Sequence, residues 1–158
     1  MNQAIALYQS AIERWRRLRD PYEEAVAQYG LGWSYHDLAV KAMIKLPSPV
    51  DRIRWTYDSS VELRQATAAF NRARRLFAAI GSFRAVATTY MALGWEPLYL
   101  GHYPEAKHFF HQADLAHRRT GNLFGQALAA YGEGWASAAA GDWARVLAMH
   151  SAQQCSHH

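Results

Sequence analysis

The sequence predicts an all-α fold of about seven helices, laid down as antiparallel pairs that repeat along the chain into an α-solenoid. Three observations carry this expectation. Apolar residues recur at i, i+3, i+4 and i+7 over long stretches, while two-residue alternation is scarce. Turn signals separate the stretches: Asp20-Pro21, Gly81-Ser82, Gly101-His102, Gly121-Asn122 and Gly141-Asp142. The dipeptide Gly-Trp occurs as Gly32-Trp33, Gly94-Trp95 and Gly134-Trp135, each time in the same neighbourhood.

The helices are expected at residues 2–19, 21–45, 60–80, 83–100, 104–120, 123–140 and 143–154. The first stops at Asp20-Pro21. The second runs into Pro47-Ser48-Pro49, which breaks it. Ser48 followed by Pro49 suits an N-cap and a first-turn proline. Arg52, Ile53, Arg54, Trp55 and Tyr57 then read as a short amphipathic helix. Ser59-Ser60-Val61-Glu62 is a capping-box pattern that opens the third long helix. The alternative is one unbroken helix from Pro49 to Ile80. The glycine-led turns at 81, 101, 121 and 141 delimit the remaining four.

The repeat is read from the tryptophans. Forty residues separate Trp95 from Trp135, and 62 separate Trp33 from Trp95, which is one period plus an insert of 22. Most of that insert falls at residues 46–60. Fourteen residues before each Trp stands a turn residue: Arg19, Gly81 or Gly121. Four before it comes Tyr29, Met91 or Tyr131, and six after it Ala39, Gly101 or Gly141. Twenty-five before it come Tyr8, Phe70 and Phe110, with Ala11, Ala73 and Ala113 three residues later. The chain is therefore read as a single repeat domain, 1–158, with repeat cores at 21–80 (holding the insert), 83–120 and 123–155.

Composition excludes several classes. A hydrophobic fraction of 51% with 19% charged residues supplies a core and argues against a disordered tail. The balance of 17 Lys and Arg against 13 Asp and Glu is too mild for a polycationic nucleic-acid arm. The lone cysteine, Cys155, allows no intramolecular disulfide and suggests a reducing compartment. No apolar run approaches a membrane span and the start lacks the build of a signal peptide, so a cytoplasmic location is expected.

The stretch Tyr90-Met91-Ala92-Leu93-Gly94-Trp95, followed by Gly101-His102-Tyr103-Pro104-Glu105-Ala106, Phe110 and Ala113, resembles a tetratricopeptide repeat. That family's unit carries Leu-Gly in its first helix, a Gly-x-Tyr turn, and Ala, Phe and Ala along its second. The third repeat keeps Gly134, Gly141 and an aromatic at Trp143, with Val146 in place of the alanine. The first keeps Leu31-Gly32 and then departs, because the insert displaces its second helix. A 40-residue period is similar to the longer-helix variants of bacterial signalling and regulatory proteins. The resemblance implies right-handed superhelical stacking. The chain opens and ends on what look like second helices, so it is expected to be a fragment of a longer protein or to self-associate. A homodimer through the terminal helices would cover Trp143, Val146, Leu147 and Met149.

No catalytic motif is present: no Gly-x-x-x-x-Gly-Lys loop, no Gly-x-Ser-x-Gly, no His-Glu-x-x-His. His108, His111, Asp114 and His117 share one helix, but His108 and His111 fall on its solvated side and His117 near the core side. They do not form one centre, and neither metal nor cofactor is expected. Cys155 reads as an inert thiol. The arginine groups (14, 16, 17 and 19; 72, 74 and 75; 118 and 119) fall in the last halves of helices, where cations meet the negative end of the dipole. They lack the interleaved aromatics of a base-stacking surface, so nucleic acid is not the expected partner.

In the tetratricopeptide family the first helix of each unit lines a concave surface that holds a peptide. Carried over by position, the resemblance implies a groove of Tyr29, Trp33, His36, Asp37, Met91, Trp95, Tyr99, Tyr131 and Trp135. The alternative is that the tryptophans pack first helix on first helix as core. The groove reading implies a non-catalytic module that binds a protein or peptide. Two other readings stay open: a ligand-sensing domain of a bacterial signalling or transcription regulator that takes a small apolar molecule, and a self-assembling structural protein.

Overall fold

Five of the six long helices end at a left-handed residue. Gly81, Gly101, Gly121 and Gly141 have φ of 74°, 78°, 68° and 80°, and Arg19 holds the same place in the first turn at 54°. The next amide closes four of these turns: the N–H of Asp20, Ser82, His102 and Asn122 donates to the carbonyl five residues back, on Trp15, Phe77, Pro97 and His117. This is the Schellman closure, which satisfies carbonyls left over at a helix end. Glycine accepts the positive φ without a Cβ clash; Arg19 does not. Starts are capped too. Side-chain oxygens of Asn2, Asp20 and Asn122 accept from the N–H of Ala4, Glu23 and Gly125.

The computed structural model describes residues 2–45, 60–99, 101–141, 148–149 and 151–152. Among these residues the chain is all-α and has no strand. The long helices are α1 (Gln3–Arg17), α2 (Pro21–Ile44), α3 (Ser60–Ala79), α4 (Phe83–Tyr99), α5 (Tyr103–Arg119) and α6 (Leu123–Ala139). These match the first six expected helices to within two residues at each end. Positions 148–149 and 151–152 are also helical. The rest of the expected seventh helix, with Trp143, Val146 and Leu147, lies outside the described residues. So do the 47–49 break, Arg52, Ile53, Arg54, Trp55, Tyr57 and Cys155.

Each helix packs on the next in the chain, and α4 also touches α6. Successive helices run antiparallel. Tyr22 meets Phe77 at one end of α2 while Trp33 meets Phe70 further along. Small residues let the helices approach. Ala25, Ala73, Ala87, Ala106, Ala113 and Ala129 are fully buried, and large rings fill what they leave. Phe110 is wedged between Gly94 of α4 and Gly132 of α6, where no side chain would fit. Phe70 holds the same station one repeat earlier, against Gly32 of α2 and with Ala92 of α4 in its cluster. Each buried phenylalanine contributes about 1.5–3 kcal/mol from removing its ring from water. The 40-residue spacing read in the sequence is thus a packing period, with one aromatic of a second helix shared by two first helices.

The arginine groups separate into two kinds. Arg14, Arg16 and Arg17 in α1, and Arg118 and Arg119 in α5, sit in last turns as expected. The last turn of α3 carries no base, which corrects the dipole account for Arg72, Arg74 and Arg75. Arg72 instead donates from Nε to Oε1 of buried Gln28 across the α2–α3 seam, at 3.1 Å. The Arg74 guanidinium lies 5.4 Å from the Tyr90 ring centre, a cation–π contact to α4.

Candidate interaction surface

The first helices of the repeats, α2, α4 and α6, carry the aromatic register. On α2, Tyr29 and Trp33 stand one turn apart with ring centres at 6.1 Å and planes at 80°. On α6, Tyr131 and Trp135 reproduce that arrangement at 6.1 Å and 81°. The same four-residue spacing on the same helix surface gives the same edge-on contact. Met91 and Trp95 hold the position on α4, where both pack against the cluster of Ala106, Phe110 and Ala136.

The three indoles differ in what covers them. Trp33 is half-buried, edge-on to Phe70 at 5.3 Å. Trp95 is half-buried and edge-on to Phe110 at 5.5 Å. Trp135 is 52% exposed and Tyr131 59% exposed. Trp33 and Trp95 each lay one edge into a helix seam, while Trp135 stands open.

His36 and Tyr99 join two of the first helices. Their rings lie 5.4 Å apart, and His36 also meets Trp33 at 5.2 Å. His36 is only 8% exposed, so it stands inside the seam rather than on an open face. Burial pulls its pKa below the usual histidine value, against the opposing charge of Asp37. Asp37 is exposed, Met91 is half-buried and Tyr99 sits at the margin of exposure.

The sequence reading missed two further residues on α6. Phe124 is 74% exposed and Leu128 41%. With Tyr131 and Trp135 they follow one helical face at i, i+4, i+7 and i+11. Their counterparts on α2 are Tyr22 and Val26, also exposed. The signal was available, since residues 22, 84 and 124 share one register, but only two of the three are apolar.

Two buried groups away from this face also escaped. Glu96 is 7% exposed, and burial together with the charge of Glu105 pushes its carboxyl up to about 8, against the opposing charge of Arg64. A single carboxylate in the apolar run of α4 carries no local sign that it will be buried. His117 is buried beneath Gly125, and burial lowers its pKa against the charge of Asp114. His108 and His111 are exposed, so the helix separates these three histidines as expected. Among the described residues, no three His, Cys, Asp or Glu side chains stand where they could share a metal ion. No helix among them is long and apolar enough to cross a membrane.

No family model matches the chain, and no curated protein is similar to it in sequence. What the fold defines is a class, an all-α protein whose packed helix pairs are consistent with a helical repeat.

Proposed function

We propose that the chain is a tetratricopeptide-like α-solenoid that acts as a non-catalytic interaction module and binds a peptide or helix across the exposed face of its first helices. The observation that carries this reading is the open stripe Phe124, Leu128, Tyr131 and Trp135 on α6, in register with Tyr22, Val26, Tyr29 and Trp33 on α2. Contiguous apolar faces of this kind mark interaction sites on monomeric proteins. Rigid aromatic side chains dominate binding energy when a partner dries them. An apolar segment or an aromatic-rich helix suits the surface, because the lysine and asparagine pattern of carboxylate-binding tetratricopeptide proteins is missing from it.

The test is selection of binders from a random peptide library, followed by titration against Trp135→Ala and Tyr131→Ala. Loss of binding with unchanged far-ultraviolet circular dichroism supports the reading. Selected peptides that bind both variants as tightly as the parent overturn it. The ligand-sensing reading would place a small apolar molecule against the same aromatic side chains, and native mass spectrometry of the chain tests it. The homodimer expected through the terminal helices rests mainly on residues outside those described, and sedimentation at micromolar concentration tests it.

A further inference from the structure

The turns that join α1 to α2, α3 to α4 and α5 to α6 stand in a row along one edge of the array. The antiparallel order of the helices puts them on the same side. Side chains link neighbours along the row: the Tyr22 ring meets Phe77 at 6.0 Å, and the Arg119 guanidinium lies 5.6 Å from the ring centre of Phe83. We propose that this edge is a docking surface for the face of an anionic lipid bilayer. Large apolar side chains recur on it at fixed stations. Leu18 and Ile80 directly precede the left-handed residue of their turns, and Phe83 and Leu123 follow it by two positions. They are 69%, 39%, 53% and 77% exposed.

The charge on this edge is positive and turned outward. Residues 13–24, 75–84 and 114–124 hold eight arginines against five acids. In the two closest ion pairs there the acid is the sheltered partner. The side chains of Glu24 and Asp114 are 14% and 16% exposed, those of Arg16 and Arg118 55% and 64%. Among the described residues, Arg19, Arg75 and Arg84 are exposed and have no acidic partner. Helix stability does not account for them all. Arg84 stands in the first turn of α4, where the dipole disfavours a cation and no acid is present. Arg19 holds a left-handed position that glycine would fill without strain. Charges kept where the backbone disfavours them are explained by a partner outside the chain.

Shape and composition select the bilayer among anionic partners. The turns are the protruding ends of helix pairs, whereas a peptide needs a groove or a sheet edge to lie in. Single-stranded nucleic acid needs aromatic platforms, and Leu18, Ile80 and Leu123 are aliphatic. A bilayer interface takes both components at once, apolar side chains at the headgroup boundary and arginines among anionic headgroups. The contact is peripheral, since no described helix is long and apolar enough to cross a membrane. Leu18, Ile80, Phe83 and Leu123 are no part of the α6 stripe, so this surface does not depend on the peptide-binding reading.

The experiment is co-sedimentation of the whole chain with phosphatidylcholine vesicles holding about 30% phosphatidylserine, against phosphatidylcholine alone, in about 0.1 M and about 0.5 M sodium chloride. Saturable binding to the anionic vesicles is expected at the lower salt, with about tenfold or more lost at the higher salt or without phosphatidylserine. A double variant, Arg19→Gly with Arg84→Gln, should bind about tenfold or more weaker, with parental circular dichroism and a melting temperature no lower than the parent's. Leu123→Ser should bind several-fold weaker. Trp135→Ala, which alters only the α6 stripe, should bind as tightly as the parent. No binding to the anionic vesicles, equal binding to both compositions, binding that neither edge variant weakens, or binding lost in Trp135→Ala overturns the proposal. Capture of a single-stranded oligonucleotide or of polyglutamate, with no capture of vesicles, overturns it too and assigns the edge to that polyanion. Should the double variant fail to fold, Leu123→Ser and the lipid and salt dependence of the parent still decide it.

Discussion

The ring of Phe110 occupies the space that a side chain on Gly94 would need. The two residues lie on consecutive helices, and Phe110 is fully buried, so the ring has nowhere to move. Gly94→Ala should therefore destabilise the fold by about 1–3 kcal/mol, despite the better helix propensity of alanine. Ala106→Leu, in the same cluster, should cost a similar amount. Urea unfolding of each variant measures both; unchanged midpoints would mean that the α4–α5 contact is not packed as described.

Arg19 offers the opposite test. It alone among the five turn residues pays the Cβ cost of positive φ. A left-handed L-residue costs roughly 1–2 kcal/mol, which glycine relieves. Part of that gain is lost to the greater freedom of glycine in the unfolded chain. Arg19→Gly should thus raise stability by about 1 kcal/mol, seen as a melting temperature a few degrees higher.

Two kinds of buried titrating group set the pH profile in opposite senses. His36 and His117 have folded pKa values below the usual 6.5. The unfolded chain takes up protons there that the folded chain refuses, so stability falls as pH drops below 6.5. Glu96 has a folded pKa of about 8, raised from 4.5. It holds a proton in the folded state that the unfolded state has lost, so its contribution is fully present below 4.5 and declines as pH rises toward 8. Between 6.5 and 8 the Glu96 effect acts against little histidine titration, with a limiting slope of about 1.4 kcal/mol per pH unit. Stability measured from pH 5 to 9 should peak near the histidine range, and Glu96→Gln should flatten the alkaline limb and steepen the acid limb, where Glu96 also opposes the histidines.

The tryptophans should separate by their surroundings. Trp33→Ala and Trp95→Ala each remove an indole seated on a buried phenylalanine and should lower stability by several kcal/mol, within the range of about 3–5 for large aromatic truncations in cores. Trp135→Ala removes an indole more than half exposed and should cost less than about 1 kcal/mol. Chemical denaturation of the three variants, with acrylamide quenching of the parent, checks the order.

Helix ends, turns and the repeat period were decided by the sequence alone, because each is a local or strictly periodic property. A glycine supplies positive φ wherever it sits, an asparagine caps whatever helix follows it, and the apolar spacing of α5 needs no neighbour to be read. Partnerships between helices were decided only by the tertiary structure. Whether Trp33 faces a groove or a seam depends on Phe70, which is 37 positions further along the chain. Gln28 finds its donor in Arg72, and Arg74 turns to Tyr90 rather than to a helix dipole. Glu96 and Thr67 are distant in sequence and meet at one void only because α3 and α4 pack. No periodicity encodes such a meeting. Burial and desolvation belong to the assembled helices, and they are what raise the pKa of an otherwise ordinary glutamate.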